Sequence, residues 1–387
     1  MDINDRVIAA LADVLEPEIR KPLTELDLVG EPETSWGKIV VPVMTIADPL
    51  PYEEELRSTV LKALVDAEIG KRVEVRLVPL SDQGLLRLRQ VLKPATDFES
   101  NAMSNPIGHE QGRPNQFMEP GSKTRVLGIS SGKGGVGKSS TTVNLAIALA
   151  DRGRQVGILD ADVYGFSVPK MLGINRNPLM VDDLMLPPVA YGVKCISVGF
   201  FVSDDTPVIW RGPMLHKALE QFLVDVYWGD LDYLLLDMPP GTGDVALSMG
   251  QYLPKSEIFV VTTPQLAAQR VAQRSAYAAK KLKLPLRGVI ENMSWFTGDD
   301  GKKYQLFGEG GGESLAGDLG VPLIAQIPLV PGVREGGDDG VPVTVSAPES
   351  EASQAYSNLA AAIDSMGPAR VYKSELKVTS SSGSSQG

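Results

Sequence analysis

A chain of 387 residues is long enough for two or three domains of roughly 150 residues, each able to bury its own core. With 43% hydrophobic and 22% charged residues the composition is that of an ordinary globular protein, which excludes disorder along the whole length. The net charge of −11 repels nucleic-acid phosphates and anionic membranes; one cysteine, Cys195, excludes an intrachain disulfide or a four-cysteine metal site, and two histidines, His109 and His216, leave little for a histidine-built centre.

The start, Met1-Asp2-Ile3-Asn4-Asp5, is acidic where a secretory leader is basic, and no apolar run approaches the roughly 18 residues of a membrane span. A cytoplasmic protein without membrane or nucleic-acid partners is expected. Residues 1–92 read as a small α/β domain. Ile8, Leu11 and Leu15 recur at helical spacing up to Pro17, Ile39–Val43 reads as a strand, Leu56, Val60 and Leu64 stripe a second helix, and Val73–Leu77 alternates as a strand. Residues 93–123, which include His109, are rich in Pro, Asn, Ser, Gly and Glu without apolar period and read as a linker.

From 124 to 366 short apolar runs alternate with helical stretches: Val126–Ile129, Val156–Leu159, Tyr233–Leu236, Ile258–Val261, Leu286–Ile290 and Leu323–Ala325. Near-continuous apolar strands separated by helices are what a mostly parallel sheet covered on both faces requires, so a doubly wound α/β domain is expected here. Residues 367–387 form a serine-rich tail with nothing to bury.

Immediately after the first of these strands stands Gly132-Lys133-Gly134-Gly135-Val136-Gly137-Lys138-Ser139-Ser140, followed by a helix through Leu145 and Leu149. This is a complete Gly-x4-Gly-Lys-Ser phosphate loop, whose glycines let backbone N–H groups converge on phosphate oxygens at a helix N-terminus. Lys138 is expected to neutralise the β- and γ-phosphates of ATP and the Ser139 hydroxyl to ligate Mg²⁺. Gly132, Gly134 and Gly137 also spell a dinucleotide fingerprint with Asp160 as its ribose acid, and Gly128-Ile129-Ser130-Ser131-Gly132 spells a hydrolase elbow whose triad would need His216. The adjacent Lys138-Ser139 and a second acidic loop favour the phosphate loop over both. That loop is Asp237-Met238-Pro239-Pro240-Gly241-Thr242-Gly243-Asp244; its Asp237 leaves an apolar strand where the second metal-facing carboxylate belongs. Asp162, in Asp160-Ala161-Asp162, is the candidate for orienting the attacking water, and Lys133 is placed to reach a neighbouring subunit's nucleotide in the manner of an arginine finger.

These segments resemble the deviant phosphate-loop ATPases typified by the nitrogenase iron protein, MinD and ParA. With Trp210-Arg211-Gly212-Pro213 and Glu291-Asn292-Met293-Ser294 they are similar to the Mrp (ApbC) branch, the iron–sulfur cluster carriers, and residues 1–92 resemble the PaaD/SufT-type domain in front of bacterial members. The resemblance implies a homodimeric ATPase, adenine recognition by Asn292, and delivery of an iron–sulfur cluster to apo iron–sulfur proteins or assembly factors. The alternative within the class is a ParA- or MinD-like dimerisation switch that positions cargo. The chain departs from the carriers at one place: between Ser294 and Phe307 the expected Cys-x-x-Cys is missing, and Asp299-Asp300-Gly301 reads as a hairpin turn with hard oxygen donors suited to Mg²⁺ or Ca²⁺. Leu50 likewise stands where some relatives have a cysteine, and a dimer would supply two thiols against the four that ordinarily hold a cluster. Cys195 itself, in a strand-like run, reads as a small buried apolar residue.

Overall fold

A computed structural model describes residues 2–70, 72–92, 115–119, 121–163, 165–202, 212–241 and 244–368. Most of the expected linker, with His109, the tail from 369, and Tyr164, Trp210, Arg211, Thr242 and Gly243 lie outside the described residues.

The N-terminal part comprises α1 (Ile3–Ala10), β1 (Glu33–Ser35), β2 (Lys38–Thr45), α2 (Glu53–Asp66), β3 (Val73–Pro79) and α3 (Asp82–Leu92). β2 pairs antiparallel with β1 and parallel with β3. The first helix is shorter than its apolar spacing predicts. Beyond Ala10 the chain turns back on itself, with Leu23 N donating to Val14 O and Glu16 N to Lys21 O, because Pro17 cannot continue a helix and Leu11 and Val14 bury in this turn instead.

The remainder runs β4 (Arg125–Ser131), α4 (Lys138–Ala150), β5 (Val156–Asp160), α5 (Val168–Met171), a hairpin β6 (Leu179–Val181) and β7 (Leu184–Leu186), then β8 (Val189–Ala190), β9 (Val193–Ser197), α6 (Gly212–Val224) and β10 (Tyr233–Asp237). It continues α7 (Asp244–Tyr252), β11 (Glu257–Thr262), α8 (Leu266–Lys281), β12 (Leu286–Asn292), a hairpin β13 (Phe296–Thr297) and β14 (Lys303–Tyr304), α9 (Gly311–Leu319), β15 (Leu323–Ile327), α10 (Pro331–Asp339), α11 (Val343–Ser346) and α12 (Glu351–Ser365). Eight strands form one sheet in the order β15-β12-β11-β4-β10-β5-β9-β8, parallel except for the edge strand β8. One apolar layer packs α4, α5 and α12 on one face; a second packs α6 to α9 on the other. The fold is a doubly wound α/β sheet, and its strand order brings the C-terminal ends of β4, β10 and β5 side by side, where such folds bind ligands.

Residues 115–119, read as linker, are instead packed. Phe117 is buried against Trp228 at a ring separation of 6.4 Å, and the Asn115 amide donates to Tyr252 O at 3.0 Å. A lone aromatic gives no period, so the sequence pattern could not register it. Among the described residues no helix is long and apolar enough to cross a membrane.

Candidate nucleotide site

The loop between β4 and α4 is shaped by its glycines. Gly135 and Gly137 have φ of 78° and 81°, left-handed values that favour glycine, and a side chain at Gly134 or Gly135 would meet no atom within 4 Å. At Gly132, by contrast, a Cβ would lie 2.2 Å from Ala272 N, so the loop enters pressed against the backbone of α8. Val136 is buried and anchors the loop from beneath. Lys133, Gly134, Gly135, Gly137, Lys138, Ser139, Ser140 and Asp162 line a cavity of about 350 Å³, together with Gly165, Ser167 and Met171. The N-terminus of α4, beginning at Lys138, opens into it.

Lys138 is buried, and its ammonium lies 2.6 Å from Asp237 Oδ2 and 3.5 Å from Asp162 Oδ2. Ser139 Oγ donates to the same Asp237 oxygen at 2.6 Å. Thr142, which the sequence analysis did not single out, donates to Asp237 Oδ1 at 2.7 Å and fixes that carboxylate. Its signal was available, since Thr142 lies one helical turn beyond Ser139 on the same face of α4. Asp160 lies opposite Asp237 in the β5–β10 register. Its carboxyl accepts from Ser197 Oγ at 3.0 Å and from the Asp162 N–H at 3.2 Å, and burial together with the charge of Asp237 pushes its pKa up to about 8. Ser197 was also missed, because nothing local reveals that β9 flanks β5. With its carboxyl fully buried, Asp160 is not presented to a ribose. Nor is Ser130 on an elbow: it lies within β4, while His216 Nδ1 bonds Ser248 Oγ at 2.9 Å.

Lys133 folds onto its own chain, its Nζ 3.3 Å from Gln265 Oε1. Asn292 is buried at the end of β12 and donates to Val136 O at 2.9 Å, bracing the loop from behind. Its neighbour Glu291, quoted in the sequence only as part of a motif, binds the Gly312 N–H at 2.6 Å, Ser294 Oγ at 2.9 Å and Gln326 Nε2 at 2.9 Å, and so ties the Glu-Asn-Met-Ser segment to the start of α9.

Ser139 Oγ and the Asp237 carboxylate are hard oxygen donors beside a cavity with a helix N-terminus and a lysine, which fits Mg²⁺ accompanying a polyphosphate. The expected hairpin at Asp300-Gly301 forms, but the Asp300 oxygens are taken up by the Lys302 N–H at 3.1 Å and the Tyr304 hydroxyl at 3.0 Å, which is structural use and not a cation site. Among the described residues no group of three or more His, Cys, Asp or Glu could hold a metal. Cys195 points into the core beneath β9, fully buried, and burial raises its thiol pKa well above the usual value.

Residues 122–364 match the family model ParA, described as NUBPL iron-transfer P-loop NTPase. An iron-sulfur cluster carrier protein of Mycobacterium leprae is 45% identical over 356 residues, covering 90% of this chain and 89% of that protein. One from Synechocystis is 37% identical over 364 residues, covering 92% of this chain and 96% of its own. Among solved structures, a nucleotide-binding protein of Archaeoglobus fulgidus in complex with ADP is 33% identical with a TM-score of 0.50, over 59% of this chain and 89% of that one. The cell division ATPase MinD of Pyrococcus furiosus is 25% identical with a TM-score of 0.51, over 63% of this chain and 99% of that one.

Proposed function

The chain belongs to the ParA family of NUBPL iron-transfer P-loop NTPases, and from that membership we propose that it binds ATP with Mg²⁺, hydrolyses it to ADP and phosphate as a homodimer, and uses the cycle in passing iron–sulfur clusters to apoproteins or assembly factors. The observation that carries the nucleotide half is the buried Lys138 ammonium, held 2.6 Å from a strand-end carboxylate at the mouth of an open glycine cradle. An arriving triphosphate offers more negative charge than Asp237, so Lys138 turns from the carboxylate to the β- and γ-phosphates. Ser139 Oγ and Asp237, whose other oxygen stays fixed by Thr142, are then the donors that would hold Mg²⁺. Held by these donors, Mg²⁺ would supply neutralisation of the phosphate charge. Asp162 orients the attacking water, and Lys133 leaves Gln265 to reach the partner's nucleotide across the dimer. Asn292 keeps its amide on Val136 O, leaving Oδ1 to accept from the adenine amine.

The cluster half is limited by thiol chemistry. The one cysteine of each chain is buried with its pKa raised, so the thiolate that a cluster needs is disfavoured. The protein therefore acts as a nucleotide-driven adaptor, with cluster ligands supplied by the client or by external thiols. Anaerobic reconstitution of the parent and of Cys195→Ser with iron and sulfide, followed by visible absorbance and by ATP turnover, tests both halves. Equal turnover without a stable cluster on either is expected. A stoichiometric cluster on the parent that Cys195→Ser loses would overturn the adaptor reading, and absence of turnover would overturn the ATPase.

A further inference from the structure

Glu18 is fully buried where the N-terminal part meets the nucleotide-binding part. Its Oε1 is gripped by Arg176, with Nε and Nη2 both at 3.0 Å, while Oε2 has no hydrogen-bond partner. Arg176 also lies over the Tyr52 ring at 5.5 Å, and the Tyr52 hydroxyl donates to Glu16, whose other oxygen accepts the backbone N–H groups of Glu18 and Ile19 at 2.9 and 2.6 Å. Arg89 and Asp183 close another edge at 2.7 Å. Behind these charges the β6–β7 hairpin and Tyr227 share one apolar cluster with Leu88 and Leu92 of α3. The N-terminal part is thus docked through a buried, hydrogen-bonded Glu18–Arg176 pair, and removing one partner of such a pair strands the other.

Arg176 stands five residues beyond Met171, which with Ser167 and Gly165 contributes to the lining of the phosphate-loop cavity. The intervening segment is stiff. Leu172 and Ile174 are buried, and Gly173, at φ 67°, is wedged so tightly that a Cβ there would lie 2.8 Å from Gly340 O at the end of α10. A displacement at one end of 165–176 is therefore carried to the other and not absorbed between.

We infer that residues 165–176 couple the two parts, so that nucleotide filling the phosphate-loop cavity displaces Met171, draws Arg176 from Glu18 and loosens the docking of residues 2–92. The inference rests on nucleotide binding at the loop and not on hydrolysis or cluster transfer. Docking holds the empty arrangement, and undocking favours the filled one. Burial raises the Glu18 pKa and the Arg176 guanidinium opposes that rise, so once Arg176 leaves, nothing on that side holds the charge and Glu18 takes up a proton. By reciprocity, anything that undocks the N-terminal part must tighten nucleotide binding by the same factor.

The test uses the full chain, a fluorescent non-hydrolysable ATP analogue with Mg²⁺, and amide hydrogen exchange of residues 14–28 and 179–186. In the parent, saturating analogue is expected to speed exchange in both segments. Arg176→Ala is expected to exchange fast without analogue and to bind it at least about 5-fold more tightly. Glu18→Gln, nearly isosteric, is expected to shift affinity in the same direction and decides the matter should the arginine variant fail to fold. Analogue binding with unchanged exchange in the parent, or parental affinity in the variants, would overturn the coupling while leaving the nucleotide site intact. No binding by the parent would overturn the nucleotide site and the coupling together.

Discussion

Replacing Lys138 by alanine removes the cation that two buried carboxylates share. At an effective dielectric constant of about 20, the 2.6 Å contact with Asp237 is worth about 6 kcal/mol of gross attraction, most of it offset by the cost of taking both charges out of water. Stranding one buried partner costs about 3–5 kcal/mol. The low end applies, because Asp237 keeps the Ser139 and Thr142 hydroxyls and the adjoining cavity admits water. About 3 kcal/mol corresponds to a fall in Tm of roughly 6–12 °C for a cooperative unit of this size. Thermal unfolding of nucleotide-free parent, Lys138→Ala, Asp237→Asn and the double variant measures it. The double variant should recover most of the loss, since the fully buried Asp237 charge is then gone and only Asp162, farther from the ammonium at 3.5 Å, has lost that cation. Saturating nucleotide at about 100 times Kd should then stabilise the parent by about 2.7 kcal/mol and Lys138→Ala not at all. A fall in Tm below about 3 °C, or no recovery in the double variant, would refute the electrostatic account of this site.

Gly132→Ala, which drives a Cβ to 2.2 Å from Ala272 N, should destabilise the fold by several kcal/mol, whereas Gly134→Ala should leave unfolding unchanged yet weaken nucleotide binding; denaturant titration and equilibrium binding separate the two. Lys133→Ala should bind ATP and lose hydrolysis, and mixing it with Lys138→Ala should restore part of the turnover through hybrid dimers; parental turnover by Lys133→Ala alone would show that no cross-subunit role exists. Burial raises Glu18 from 4.5 to about 8, so the folded state binds the extra proton and stability falls as pH rises across that interval. Burial lowers Lys194 from 10.5 to about 7, so there the unfolded state binds the extra proton and stability rises with pH between those values. Asp160, raised in the same sense, adds to the fall, so Tm should decline from about pH 5 to 7 and Glu18→Gln should make that decline shallower without abolishing it; an equally steep decline in the variant would disprove the assignment to Glu18.

The sequence by itself determined whatever depends on short spacing. A phosphate loop, its strand and its helix occupy Val126 to Leu149 without interruption, so apolar period, glycine placement and Lys138-Ser139 identify them together. The alternation of apolar strands and helices likewise determined a doubly wound sheet, because both faces must be covered. Only the tertiary structure decided what meets what. Asp237 reaches Lys138 across 99 residues because β10 inserts between β4 and β5, an order no local pattern specifies. The same holds for Ser197 against Asp160 and for Asn292 braced on Val136. Arg176 and Glu18 are 158 residues apart, each an ordinary surface charge in the sequence, and only the packing of the N-terminal part against the rest of the chain makes them one buried pair. Periodicity reports which face of an element is apolar; the partner of that face is chosen by packing in three dimensions, and the polar contacts of the site follow from that choice.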